Sequence, residues 1–253
     1  MSADADAMAR PCEPWKFLAS SAWTATAIAA WLAVQFLVFI GLLVYMGVGD
    51  DATAHEIDTL SSHAVVISLV AIVAAPAEIG IIALAIRFAR CRFSDYVALV
   101  WPRRRELLIG IGLLVLMLPL ADLSAYLSGR AIVPPFVVEA YRSARDSGTL
   151  PLLFLALAVA APVTEEIVFR GFLYRGYAAS RVGPAGAILI PAALWSVMHL
   201  QYEAFFIFQI FLLGVVLGWL RWRTGSLWLT IILHAIINAA SLLQTAFIVE
   251  YLS

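Results

Sequence analysis

The residues of this chain that could do chemistry are few and lie at helical spacings. Glu165 and Glu166 are adjacent, Arg170 follows Glu166 at i+4, His199 ends an apolar run, and His234 precedes Asn238 by four. That i,i+4 spacing places Glu166 with Arg170, and His234 with Asn238, on one face of a helix each. At 3.6 residues per turn Glu165 is rotated by about 100° from Glu166, so one arginine cannot neutralise both carboxylates equally. One carboxylate is then structural and the other is available. A carboxylate and an imidazole can hold and deprotonate water, and a second imidazole with an amide NH2 can donate to an oxyanion. The G-x-S-x-G elbow of serine hydrolases and the H-E-x-x-H of soluble zincins are both absent.

These groups need elements to position them, and composition says which kind. Of 253 residues, 63% are hydrophobic and 13% charged, with a mean hydropathy of +0.95. Too few polar side chains remain to cover a soluble domain, so the chain reads as a membrane protein. Net charge is −1 and Lys16 is the single lysine, which leaves no basic surface for nucleic acid. Apolar stretches at about 22–48, 64–88, 106–127, 150–176, 184–200, 204–222 and 226–249 are long enough, or nearly so, to cross roughly 30 Å of hydrocarbon. The expected fold is an all-α polytopic bundle of about seven spans, with six to eight allowed by the short fifth and the arginine-bounded sixth. No cleavable leader is read in the polar start MSADADAMARPCEPWK.

Arginine placement orients the spans. Arg87, Arg90, Arg92, Arg103, Arg104 and Arg105 fall between the second and third, while GDDATAHEIDTLSSH between the first and second holds no Lys or Arg. The positive-inside rule puts the former in the cytoplasm, and the N-terminus with it. Arg130, Arg142 and Arg145 run against the rule, in a long loop where VVEAYRSAR reads as a short interfacial helix. Cys12 and Cys91 lie far apart without metal spacing and read as bystanders.

Ionisable groups at membrane depth are functional candidates by default. Beyond those named, Glu78 follows Pro76 and Asp122 follows Pro119; both read as lining a vestibule or pairing with arginine, not as chemical groups. His55 and His63 sit in the acidic loop, so the two histidines that fall within spans are the ones in segments next to the di-glutamate. Pro162 just before it frees a backbone carbonyl, tolerated where a helix lines a cavity.

Glu165-Glu166-x-x-x-Arg170, then Trp195-x-x-x-His199, then His234-x-x-x-Asn238 resembles the three signatures of the CPBP intramembrane proteases, which include the type II CAAX prenyl endopeptidases and the bacterial Abi proteins. The likeness covers about 150–245 and continues as Phe169-Arg170-Gly171-Phe172-Leu173. It implies an endopeptidase acting on a membrane-associated protein or peptide, with CAAX-type processing one form of that activity. By position it implies Glu165 and His199 as activators of water, His234 and Asn238 as the oxyanion hole, and Glu166 with Arg170 as support. Metal-free glutamate chemistry and zinc held by Glu165, His199 and His234 both stay open. Trp195 stands where the family usually has Phe, a departure read as bearing on cavity shape.

The expected organisation is a cytoplasmic segment at 1–21, scaffold spans over 22–148 and catalytic helices over 149–250, in a bacterial plasma membrane. The site is expected inside the bilayer and open mainly to the cytoplasm. His199 lies about 22 Å from the cytoplasmic start of its span and His234 about 13 Å from its own, so a short or tilted fifth span has to reconcile their depths. Competing readings are a non-catalytic binder or bacteriocin-immunity protein using the same cavity, and a proton-coupled transporter. The transporter is disfavoured by the lack of an inverted repeat with interrupted helices.

Overall fold

The computed structural model describes residues 12–45, 47 and 63–252, and these are helical, with no strand among them. In chain order the elements are α1 (Phe17–Tyr45), α2 (Ala64–Phe88), the short α3 (Phe93–Val97), α4 (Arg104–Leu127), α5 (Pro135–Asp146), α6 (Leu150–Ala178), α7 (Gly183–Val197), α8 (Ala204–Thr224) and α9 (Leu227–Tyr251). Six are long and apolar enough to cross a membrane: α1, α2, α4, α6, α8 and α9. The remaining expected span is α7, whose 15 residues reach only about 22 Å. The chain is an integral membrane protein, with six long helices and one short apolar one among the described residues. The acidic stretch with His55, and most of the 1–21 segment, lie outside the described residues.

The α1–α2 and α7–α8 pairs pack through small side chains, which let backbones approach where hydrocarbon supplies no hydrophobic drive. Ser20, Thr24 and Ala27 are the buried face of α1, and α2 buries Ala74, Ala75, Ile82 and Ala85. This hairpin brings the chain before α1 to the chain after α2, and there Cys12 and Cys91 form a disulfide across a sequence separation of 79. The bystander reading is therefore corrected. Spacing along the chain carries no trace of a contact made by folding a hairpin. Trp15 locks the same junction, its indole N–H donating to Ala85 O at 2.9 Å and its backbone N–H to the Tyr96 hydroxyl at 3.1 Å. On the other side of the bundle Gly214 and Gly218 of α8 face Ala192 and Ile188 of α7.

The expected interfacial helix is present as α5. It buries Val137, Ala140, Tyr141 and Ala144, an i, i+3, i+4, i+7 stripe. Two of the arginines that run against the positive-inside rule are ion-paired: Arg130 with Glu203, and Arg145 with Asp146 and Glu250.

α6 carries the di-glutamate and is not a regular α-helix. Ala156–Ala160 and Ile167–Leu173 are wound as π-helix on either side of the Glu165–Glu166 turn, a widening that recurs at functional sites. Ala161 N–H bonds five residues back, to Ala156 O. The next donor in that register would be the N–H of Pro162, which does not exist, so the Leu157 carbonyl needs a partner from elsewhere.

Candidate active site

The centre of the site is built on α6. Glu166 and Arg170, one turn apart, are 0% and 1% exposed, and Arg170 Nη1 donates to Glu166 Oε1 at 2.9 Å. Arg170 Nη2 donates to Gly214 O at 3.3 Å, and the guanidinium lies 4.4 Å from the centre of the Trp195 ring. A cation over an indole face is attracted by its quadrupole, most strongly where water is excluded. A side chain at 214 would intrude here, because a Cβ would stand 3.1 Å from Arg170 Nη2 and 3.0 Å from Ala192 Cβ.

Glu166 Oε1 also accepts from His234 Nδ1 at 3.0 Å. That bond places the Nδ1 hydrogen and turns His234 Nε2 toward Glu165, 3.8 Å from its Oε2, beyond direct hydrogen-bond reach. Glu165 Oε2 instead accepts from Trp195 Nε1 at 2.5 Å. The Glu165 side chain is 27% exposed, against 0% for Glu166. The two adjacent carboxylates thus divide as the 100° rotation requires: Glu166 is consumed by Arg170 and His234, and Glu165 faces the cavity.

His199 lies just past the end of α7, its backbone N–H bonded to Ser196 O. The shortness of α7 brings it to the depth of His234: the two imidazoles pack edge-on to Trp195, with centroids 5.2 and 5.1 Å away. His199 Nδ1 sits 2.9 Å from Trp195 O, a partner that can only accept, so Nδ1 carries the hydrogen and Nε2 is left with a lone pair. The ring stacks on Tyr202 at 6.0 Å. Burial, and then the Glu165 charge, push the Tyr202 phenol up to about 12, so it stays neutral beside His199. No hydrogen bond joins Glu165 to His199 among the described residues; Trp195 links them.

Asn238 takes up the orphaned acceptor of α6. Its Nδ2 donates to Leu157 O at 2.7 Å, the carbonyl left without a donor at Pro162. One amide hydrogen is used there and one remains. Glu165, His199, His234 and Asn238 all line a cavity of about 1180 Å3. Its walls include Trp31, Gln35 and Phe36 of α1 and Val66 to Glu78 of α2, and it extends to Pro134, Gln201 and Tyr202 at the end of the bundle away from the arginine-rich loops. The expected opening toward the arginine-rich end is corrected by this course. α2, α4 and α8 contribute cavity residues from their halves nearer His63, Leu127 and Glu203.

Among the described residues no three His, Cys, Asp or Glu side chains form a group able to hold a metal ion. The candidate zinc set of Glu165, His199 and His234 is not among such groups. Nδ1 of each histidine is hydrogen-bonded to Trp195 O or Glu166, so Nε2 is the ring atom at which either histidine would meet a metal.

Trp195 is the residue of the cavity wall whose contacts the sequence hid. As a stand-in for Phe it reads as a matter of shape, yet only an indole carries the N–H that Glu165 accepts. Trp195→Phe keeps a ring beside both histidines and removes that donor. Hydrogen bonds to charged groups are worth about 1.5–3 kcal/mol, so hydrolytic turnover is expected to fall about tenfold or more while Tm moves by only a few degrees. Unchanged turnover would show the N–H to be dispensable.

Residues 147–240 match the family model of the Rce1-like type II CAAX prenyl endopeptidases. No curated protein and no solved structure matches the chain. The matched segment takes in the di-glutamate turn, Trp195, His199, His234 and Asn238. Over that segment this integral membrane protein is similar to the Rce1-like type II CAAX prenyl endopeptidases.

Proposed function

We propose that the chain hydrolyses an internal or near-terminal peptide bond of a membrane-associated polypeptide with water activated by Glu165, without a metal. The observation that carries this reading is the unequal fate of the two carboxylates: Glu166 is buried and doubly bonded, and Glu165 is held by one indole N–H at the cavity wall. A substrate carbonyl placed between Glu165 and Asn238 meets a water whose proton Glu165 Oε1 can take. As the water oxygen bonds to the carbonyl carbon, negative charge develops on the carbonyl oxygen. The free Asn238 N–H and His234 Nε2 are the available donors to it. His234 donates there only when both its nitrogens carry hydrogen, because Nδ1 already donates to Glu166. The abstracted proton then passes to the leaving amine, directly or through His199 Nε2, the C–N bond breaks, and Glu165 returns to carboxylate.

In this division of labour α6 to α9, within 149–250, supply the chemistry. The helices of 22–148 form the opposite cavity wall, which presents Trp31, Phe36, Met117 and Leu118 to the substrate. Glu165→Gln is expected to lower turnover about 10²–10⁴-fold, the range of a general base. His234→Ala and Asn238→Ala should each cost about 10²–10³-fold, as single oxyanion donors do. Dialysis against a chelator should leave the wild type fully active; loss of activity restored by added Zn2+ would overturn the metal-free assignment.

We further propose that the arginine-rich end, and the N-terminus with it, faces the cytoplasm of a bacterial plasma membrane, so that the cavity opens toward the other face. Arginine density supports this orientation, while the Cys12–Cys91 disulfide is the bond of an oxidising face. The two native cysteines are the whole complement of the chain, so they report on sidedness without substitution. In intact cells treated with a membrane-permeant reductant, only a membrane-permeant maleimide should label them. Labelling by an impermeant maleimide would reverse the orientation.

A further inference from the structure

Glu78 sits two residues beyond Pro76 in α2, on the wall that the hydrolytic chemistry does not use. It is 4% exposed, lines the cavity, and has no hydrogen-bond or ion-pair partner among the described residues. Asp122 of α4 lines the same cavity and accepts from Gln244 Nε2 at 2.7 Å. With Glu165 this makes three carboxylates, and among the described residues no Lys or Arg lines the space. Arg170, behind Trp195, is spent on Glu166 and Gly214 O. His234 is turned to Glu166 and Glu165, and His199 to the Trp195 carbonyl.

An unpaired carboxylate at this depth is costly unless the occupant of the cavity brings its partner. The rest of the wall is mostly apolar, with Trp31, Phe36 and Leu118 facing the same space, and is dotted with neutral polar groups such as Gln35, Gln209 and Gln244. The complementary occupant is an apolar segment carrying one ammonium or guanidinium group. A free C-terminal carboxylate, by contrast, finds three carboxyl groups and no Lys or Arg among the described residues that line the cavity. Building on the proteolytic reading above, we propose that Glu78 is a specificity residue that binds a lysine or arginine side chain of the substrate within a few residues of the scissile bond. Cleavage then falls inside a basic, membrane-proximal segment and not at a free terminal tripeptide.

The test uses full-length protein in phosphatidylcholine vesicles and palmitoylated, dansyl-labelled alanine–leucine peptides with one lysine at successive positions. Matched peptides carry norleucine or Nε-acetyl-lysine in its place. Binding is read on the Glu165→Gln protein and cleavage on the wild type. At the favoured position lysine should bind about 10- to 100-fold more tightly than norleucine, the span of a hydrogen bond to a charged group. Glu78→Gln should bring the lysine-to-norleucine ratio close to one, and Glu78→Asp should retain most of it. A ratio near one in the Glu165→Gln protein at every position, or a ratio undiminished by Glu78→Gln, overturns the proposal. The comparison of lysine with acetyl-lysine on protein with Glu78 intact decides the matter even where Glu78→Gln does not fold. Equal cleavage of all peptides would sink the subsite and leave the protease reading standing. Lysine-selective binding with no cleavage would do the reverse.

Discussion

The structure turns on two opposite charges buried in one helix turn. Glu166 and Arg170 are almost wholly removed from water, a transfer that is repaid only where geometry is good and the remaining hydrogen-bonding positions are filled. Four helices supply partners to the pair, with Glu166 Oε2 left unbonded. α6 supplies the pair, α8 the Gly214 carbonyl, α7 the face of Trp195 and α9 the His234 ring. Arg221 closes the arrangement by donating to the Arg170 carbonyl at 3.0 Å. Trp195 and His234 also line the cavity, so holding the buried pair also positions groups that face that space. Trp195 shows this most directly, with its ring face on Arg170, its N–H on Glu165 and its edge contacts with both histidines.

A second constraint is the backbone defect at Pro162. The π-helical winding and the missing N–H leave Leu157 O without a donor, and Asn238 fills it. The amide that faces the cavity is therefore anchored at one hydrogen and free at the other, a fixed dipole that needs no rearrangement when charge develops nearby. Substrate-facing polarity on α9 follows from a helix irregularity on α6.

The features legible in the sequence are those governed by local periodicity. The Glu166–Arg170 pair, the separation of Glu165 from Glu166 and the amphipathic α5 all follow from 3.6 residues per turn, and the six long helices follow from bilayer thickness. What stayed hidden depends on which helices meet. The Cys12–Cys91 contact arises from a hairpin, the Trp195–Glu165 bond from the packing of α7 on α6, and the direction of the cavity from which helix halves diverge. Glu78 was visible as an intramembrane carboxylate, yet only the structure puts it in the same cavity as Glu165 with no partner of its own. The depth mismatch between His199 and His234 was a sound signal, and α7 resolves it by ending at Val197.

The claim that the Glu166–Arg170 pair holds the site together is tested most directly by a double-mutant cycle on unfolding free energy, using Glu166→Gln, Arg170→Met and the double variant. Each single change leaves an uncompensated buried charge and should cost about 3–5 kcal/mol. The double variant should be destabilised by far less than the sum of the two. Strictly additive losses would contradict the account, since they would mean that the two charges do not depend on one another.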